Sequence, residues 1–106
     1  MKQDSAPSGG GDPEVRHNAA AHRYEMELSG QLALADYALE SGRMILTHTF
    51  VPPELRGRGL AEKLVRRALD DARAQGMKVV PACSYVAAFI QRHSEYRLLL
   101  PDDPAA

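Results

Sequence analysis

The sequence predicts a single α/β (α+β) domain: a mixed β-sheet that opens as an antiparallel meander and carries one long and one short helix. Three observations lead there. Between His22 and Val51, alternating or β-branched segments are divided by the turn pairs Ser29-Gly30 and Ser41-Gly42. From Leu60 to Ala72, apolar residues recur at helical spacing. A further apolar run, Met77 to Cys83, follows that helix, and a strand that returns to the same sheet across a helix pairs in parallel.

Each element has its own signal. Glu14 to Asn18 reads as a short leading strand, and in His22–Leu28 the residues Tyr24, Met26 and Leu28 alternate with Arg23, Glu25 and Glu27. Gln31–Leu39 is apolar on both faces, which predicts an inner strand covered on each side. Arg43–Val51, dense in β-branched and aromatic residues, is the third strand of the meander. Pro52-Pro53 stops strand pairing because neither residue donates to a ladder. In the long helix Leu60, Ala61, Leu64, Val65, Ala68, Leu69 and Ala72 share a face, and Gly76 closes it. Ser84–His93 is a second, shorter helix capped by Ser84, and Tyr96–Leu100 a last strand. Pro52 and Pro81 each remove a ladder donor, so the two neighbouring parallel strands are expected to splay at their C-terminal ends, leaving edge groups of Phe50 and Val51 free.

Length and composition bound the rest. The 106 residues allow one domain, and 44% hydrophobic with 25% charged residues is globular rather than disordered composition. Residues 1–13, rich in Ser, Gly and Pro, read as a disordered leader, 14–100 as the folded domain, and 101–106 as a polar tail. The formal charge of −1 lacks the basic excess of a nucleic-acid or anionic-membrane binder. The single cysteine makes no internal disulfide or thiolate cluster, and no apolar run is long enough to span a membrane. A soluble, cytoplasmic protein is the expectation, with no nucleic-acid, membrane or metal partner.

The most informative segment is Arg56-Gly57-Arg58-Gly59-Leu60-Ala61, at the junction of strand and long helix. A helix N-terminus presents unpaired N–H groups and partial positive charge, glycine lets the backbone approach a bulky anion, and arginine adds charge-assisted contacts. Such a loop holds a pyrophosphate; alternatively it is a glycine-rich turn with two solvated arginines. A Walker loop would need Gly-Lys-Ser/Thr where Gly59-Leu60-Ala61 stands, and a dinucleotide fingerprint would need Gly or Ala where Glu62 stands.

The segment matches the Arg/Gln-x-x-Gly-x-Gly/Ala motif of the GNAT acetyltransferases. Together with His48-Thr49-Phe50-Val51-Pro52, Lys63-Leu64-Val65, Val80-Pro81-Ala82-Cys83-Ser84-Tyr85-Val86 and Arg92-His93-Ser94-Glu95-Tyr96, it resembles the short, single-domain branch of that superfamily, over about Glu14 to Tyr96. That branch usually has proline where Ser94 stands. The resemblance implies a GNAT-like fold in which backbone N–H groups of Arg58 to Ala61 bind the pyrophosphate of acetyl-coenzyme A. It also implies that the pantetheine arm pairs with Phe50 and Val51 between the splayed strands.

Three side chains are candidates for chemistry. Cys83, before a helix, is either a small buried hydrophobe or a thiol of lowered pKa, and the branch it resembles carries a cysteine here, facing the acetyl group. His48, placed by alternation on one face with Met44, Leu46 and Phe50, is either a hydrogen-bonded core residue or a base for the incoming amine. Tyr85 is either a packing aromatic or, as the resemblance implies, the acid that protonates the leaving thiolate. His93 reads as structural. The implied activity is acetyl transfer from acetyl-coenzyme A, as co-substrate, to a primary amine such as a protein lysine or N-terminus. The alternatives are a module that binds coenzyme A or acyl-coenzyme A without turnover, and a small interaction domain that binds neither.

Overall fold

The computed structural model describes residues 14–101, so the sequence-based leader and nearly all of the tail lie outside the described residues. The meander comprises β1 (Arg16–Asn18), β2 (Arg23–Leu28), β3 (Gln31–Glu40) and β4 (Arg43–Phe50). Then come a 3-10 turn (Pro53–Leu55), α1 (Leu60–Ala74), β5 (Lys78–Pro81), α2 (Ser84–Arg92) and a second 3-10 turn (Ser94–Leu99). The sheet order is β1-β2-β3-β4-β5, antiparallel throughout except for β5, which pairs parallel with β4. At both hairpins the two turn residues have positive φ, Ser29-Gly30 (54° and 74°) and Ser41-Gly42 (52° and 76°). That backbone twist matches the twist of the flanking strands.

The core lies between one face of the sheet and α1. Tyr24, Met26, Ala33, Ala35, Met44, Leu46 and Val79 are buried against Leu60, Leu64, Val65, Ala68, Leu69 and Ala72. The helical stripe read from the sequence is thus the buried one, except that Ala61 is only half-buried. α2 contributes Val86, Phe89 and Ile90, and its Phe89 meets Arg66 of α1 on the helix side of the sheet. The Arg66 guanidinium sits over the rings of both Phe89 (5.4 Å) and Tyr96 (5.9 Å), and Tyr96 donates to Asp70 Oδ1 at 2.8 Å. On the other flank of α1, Tyr24 donates to Asp71 Oδ2 at 2.8 Å. Adjacent aspartates on one helix therefore tie it to the sheet and to the C-terminal turn.

Four expectations need correction. Residues 96–100 form no strand: Tyr96 and Leu99 are both buried, and a three-residue spacing that a strand would split between opposite faces is brought to one side by the 3-10 turn. β3 is covered on one face, not two, because both helices pack on the same side; Leu32 and Leu34 stay half-exposed. The N-cap of α2 is Cys83 rather than Ser84, and it makes no side-chain cap. Finally, the alternation of β4 breaks. Asp36 pairs with His48 but Tyr37 pairs with Leu46, leaving Thr47 as an extra residue, a β-bulge. The Thr47 hydroxyl donates to the Asp36 carbonyl at 3.3 Å. One extra residue reverses every later side chain. His48 and Phe50 therefore face away from the core that holds Met44 and Leu46.

On that outer face Glu25 is buried, accepting from Arg16 at 2.6 Å and Asn18 at 3.0 Å. These hydrogen bonds, against the opposing effect of burial, hold its carboxyl below the ordinary value of 4.5. A depressed folded-state pKa stabilises the fold fully above the unfolded value and loses that contribution as pH falls through the folded one. Acid unfolding should therefore steepen below about pH 4.5. Glu25→Gln should cost about 1–2 kcal/mol at neutral pH and flatten that limb in pH-dependent urea titrations.

Candidate active site

The site forms where β4 and β5 part. Their ladder runs from Arg43↔Lys78 to Leu46↔Pro81, after which the Cys83 N–H still reaches back to the Leu46 carbonyl at 3.0 Å. β4 continues to Phe50 without β5 beside it. The expected splay is present, bounded by Pro81 on one strand and the Pro52-Pro53 stop on the other.

Beyond that stop, buried Leu55 anchors the loop that leads into α1. Gly57 and Gly59 have φ of 85° and 77°, left-handed values that L side chains avoid. A Cβ built at either would meet no protein atom within 4 Å, so glycine serves the backbone path and the open space beside it, not internal packing. Gly59 is the N-cap of α1 and supplies no side-chain acceptor; the first helical bond is from Lys63 N–H to the Gly59 carbonyl at 3.2 Å. The N–H groups of the first turn thus lack intrahelical partners. They border a cleft of about 340 Å³ lined by Val51, Leu55, Gly57, Gly59, Ala61 and Tyr85, among others. Glu62 also lines it, with its charge engaged by Arg66 at 3.0 Å.

The two arginines separate. Arg56 donates from Nε to the Val51 carbonyl at 2.9 Å, pinning the loop to the end of β4 and occupying one edge group expected to be free. Arg58 is exposed and does not line the cleft. Of the two β4 residues expected to meet the cofactor arm, Val51 lines the cleft, while the Phe50 side chain lies on the outer face, 40% exposed. Phe50 does not line the cleft.

Cys83 lies across the gap. Its Sγ is 3.6 Å from Thr49 Oγ1, which the bulge has turned to the helix side. Burial pushes the thiol pKa up, but hydrogen bonds with the Thr49 hydroxyl and with the backbone at Val86 and Tyr85 outweigh it, and the net direction is downward. Thr49→Val should therefore slow alkylation of Cys83 by iodoacetamide at pH 7, by up to about tenfold, one charge-assisted hydrogen bond's worth. Tyr85 stands at the mouth, its pKa raised by burial and by the nearby Glu62 charge, so it remains a proton donor at neutral pH.

Of the three candidates, the fold brings Cys83 and Tyr85 to the helix side of the gap and places His48 on the opposite face of β4. Thr49 was not legible in the sequence, because its direction follows from the bulge. His93 is structural as expected, with Nδ1 2.9 Å from the Phe89 carbonyl and its ring stacked on Phe89 at 4.0 Å. His17 likewise stacks on Tyr24, with Nε2 2.6 Å from the Tyr37 hydroxyl. Among the described residues no three His, Cys, Asp or Glu side chains group as metal ligands, and no helix is long and apolar enough to cross a membrane.

The chain is similar to known proteins. Protein NATD1 of Mus musculus is 30% identical over 92 residues, covering 84% of each chain, and Protein NATD1 of Homo sapiens is 29% identical over 82 residues, covering 74% of this chain and 73% of that one. A GCN5-like protein from Staphylococcus aureus, solved by NMR, superposes with a TM-score of 0.68 at 20% identity, covering 85% of this chain and 89% of that one; it shows the same fold. The profile of the GCN5-related N-acetyl-transferases matches residues 23–99. Its Arg56–Ala61 loop, its splayed β4 and β5 and this match agree: the chain belongs to the GCN5-related N-acetyl-transferase family.

Proposed function

We propose that the protein transfers the acetyl group of acetyl-coenzyme A to a primary amine. The observation that carries this reading is the cleft at the start of α1. Two left-handed glycines deliver the uncapped N–H groups of α1 to it, and Tyr85, two residues after Cys83, lines it as well. The backbone of Arg58 to Ala61 would hold the pyrophosphate, with Arg58 adding charge. The main chain of Phe50 and Val51 would align the arm, directing the thioester toward Thr49 and Cys83.

Two chemical routes fit these residues. In the covalent route the Cys83 thiolate attacks the thioester carbonyl; an S-acetyl bond forms as the bond to the coenzyme A sulfur breaks, and that sulfur takes a proton from Tyr85. The amine then displaces the Cys83 sulfur and loses its proton to His48 or to water. In the direct route the amine attacks the thioester itself, with His48 as base and Tyr85 as acid. A coenzyme A-binding module without turnover would use the same loop but would transfer nothing.

Titration with coenzyme A, followed by backbone amide NMR, tests the binding half. The amides of Arg58 to Ala61 should shift most, followed by Phe50 and Val51. Largest shifts in β1 to β3, or no shift at millimolar ligand, would overturn the reading.

A further inference from the structure

A second cleft lies behind α2. The sheet ends at β5, and the C-terminal segment turns as a 3-10 helix instead of pairing with that edge. A space of about 370 Å³ is left there, lined by Pro81, Ala87, Ile90, Gln91, Arg97 and Leu100. None of these residues lines the cleft at the start of α1. With 3.6 residues per turn, Ala87, Ile90 and Gln91 fall on the side of α2 opposite Tyr85, so the helix stands between the two clefts. The lining is apolar apart from Gln91 and Arg97, and Arg97 is its only charged residue. Arg97 donates from Nη2 to the Gln91 carbonyl at 3.0 Å, which ties the guanidinium to the end of α2. Among the described residues it forms no ion pair, whereas Arg66, Arg67 and Arg73 of α1 each face a carboxylate. The turn that carries Arg97 is itself fastened, by Tyr96 to Asp70 and by Lys78 Nζ to the Leu98 carbonyl at 2.9 Å.

We propose that this cleft binds a small aliphatic monocarboxylate, its carboxylate on Arg97 and its hydrocarbon chain along Ala87, Ile90, Leu100 and Pro81. Sites for small molecules are concave and mostly apolar, with a few polar groups that fix orientation, and the cleft has that character and that size. A guanidinium carries five N–H donors. The Gln91 carbonyl takes one of Arg97's, and the paired bonds to a carboxylate need only two more. The charge balance selects the class. A cation would be repelled, a doubly charged anion would find one arginine too few, and a pure hydrocarbon would cover the guanidinium without pairing it. A monocarboxylate with a short chain satisfies both the charge and the apolar wall. The site is independent of the acetyl-transfer reading, because its ligand meets α2 on the side away from Tyr85 and shares no residue with the glycine loop.

Titration of the intact protein with sodium hexanoate, followed by backbone amide NMR, tests the proposal. The shifts should centre on Ala87, Ile90, Gln91, Arg97 and Leu100. Butanoate should bind about tenfold more weakly, since each buried methylene contributes about three- to fourfold. Hexanamide, of the same shape but uncharged, should bind at least tenfold more weakly than hexanoate. Arg97→Gln should bring hexanoate down to the affinity of hexanamide and leave hexanamide unchanged; the bonds of Tyr96 and Lys78 keep the turn in place. Ala87→Leu, a good helix former at a half-buried position, should fill the slot and weaken both ligands at least tenfold with the melting temperature unchanged. Shifts centred on Arg58–Ala61, or none at tens of millimolar hexanoate, would overturn the proposal. So would equal affinities for hexanoate and hexanamide in the wild type, or an Arg97→Gln protein that binds hexanoate as the wild type does.

Discussion

Gly59→Val is expected to abolish coenzyme A binding, lowering affinity by two orders of magnitude or more, while the sheet and α1 remain folded. Two effects combine. At φ of 77° a β-branched residue is strained, and the loop either bears a cost of about 1–2 kcal/mol or moves. If it stays, the added methyl groups occupy the space beside the first-turn N–H groups, through which a pyrophosphate must come within hydrogen-bond distance. The fold itself tolerates the change, because a Cβ at Gly59 meets no protein atom within 4 Å. Calorimetric titration together with the amide spectrum reads both halves. Undiminished affinity in a folded Gly59→Val protein would mean that the anion lies elsewhere.

The second large effect concerns Cys83. If its thiol carries the acetyl group, incubation with acetyl-coenzyme A adds one acetyl mass, which hydroxylamine removes because thioesters are labile to that nucleophile. Cys83→Ser should abolish the labile increment. Cys83→Ala should lower turnover on the order of 10³-fold or more, as removal of a nucleophile does, with cofactor binding unchanged. A purely structural Cys83 predicts the opposite: the alanine variant loses only about 1 kcal/mol of packing, and turnover stays within a few-fold. That outcome would leave direct attack, with His48 acting from the outer face and Tyr85 from the helix side.

What was legible in the sequence shares a physical character. The turn pairs at residues 29–30 and 41–42, the apolar stripe from Leu60 to Ala72 and the proline stops at positions 52 and 81 act within a few residues of the chain, through backbone preference and periodicity. The loop from Arg56 to Ala61 is legible for the same reason: a helix start with flanking glycines is a local arrangement. Misreadings began where locality ended. Tyr96–Leu100 has the composition of a strand, but β5 stays the edge of the sheet, and the segment instead buries Tyr96 against Asp70 and Arg66 of α1.

The sequence by itself determined the order of elements as far as α2, the hairpins, the helix faces and the position of the glycine loop at the start of α1. Only the tertiary structure decided which way the candidate side chains point. The bulge at Thr47 exists because β4 must match β3 on both sides of Asp36, and no window of residues around His48 contains that partner. The bulge sends Thr49 toward Cys83, thirty-four residues away, and His48 toward Asp36, and so divides between two faces of one sheet the residues that simple alternation would have placed otherwise. Side-chain direction in a strand has a period of two, so a single unpaired residue reverses it, and that residue is fixed by long-range pairing.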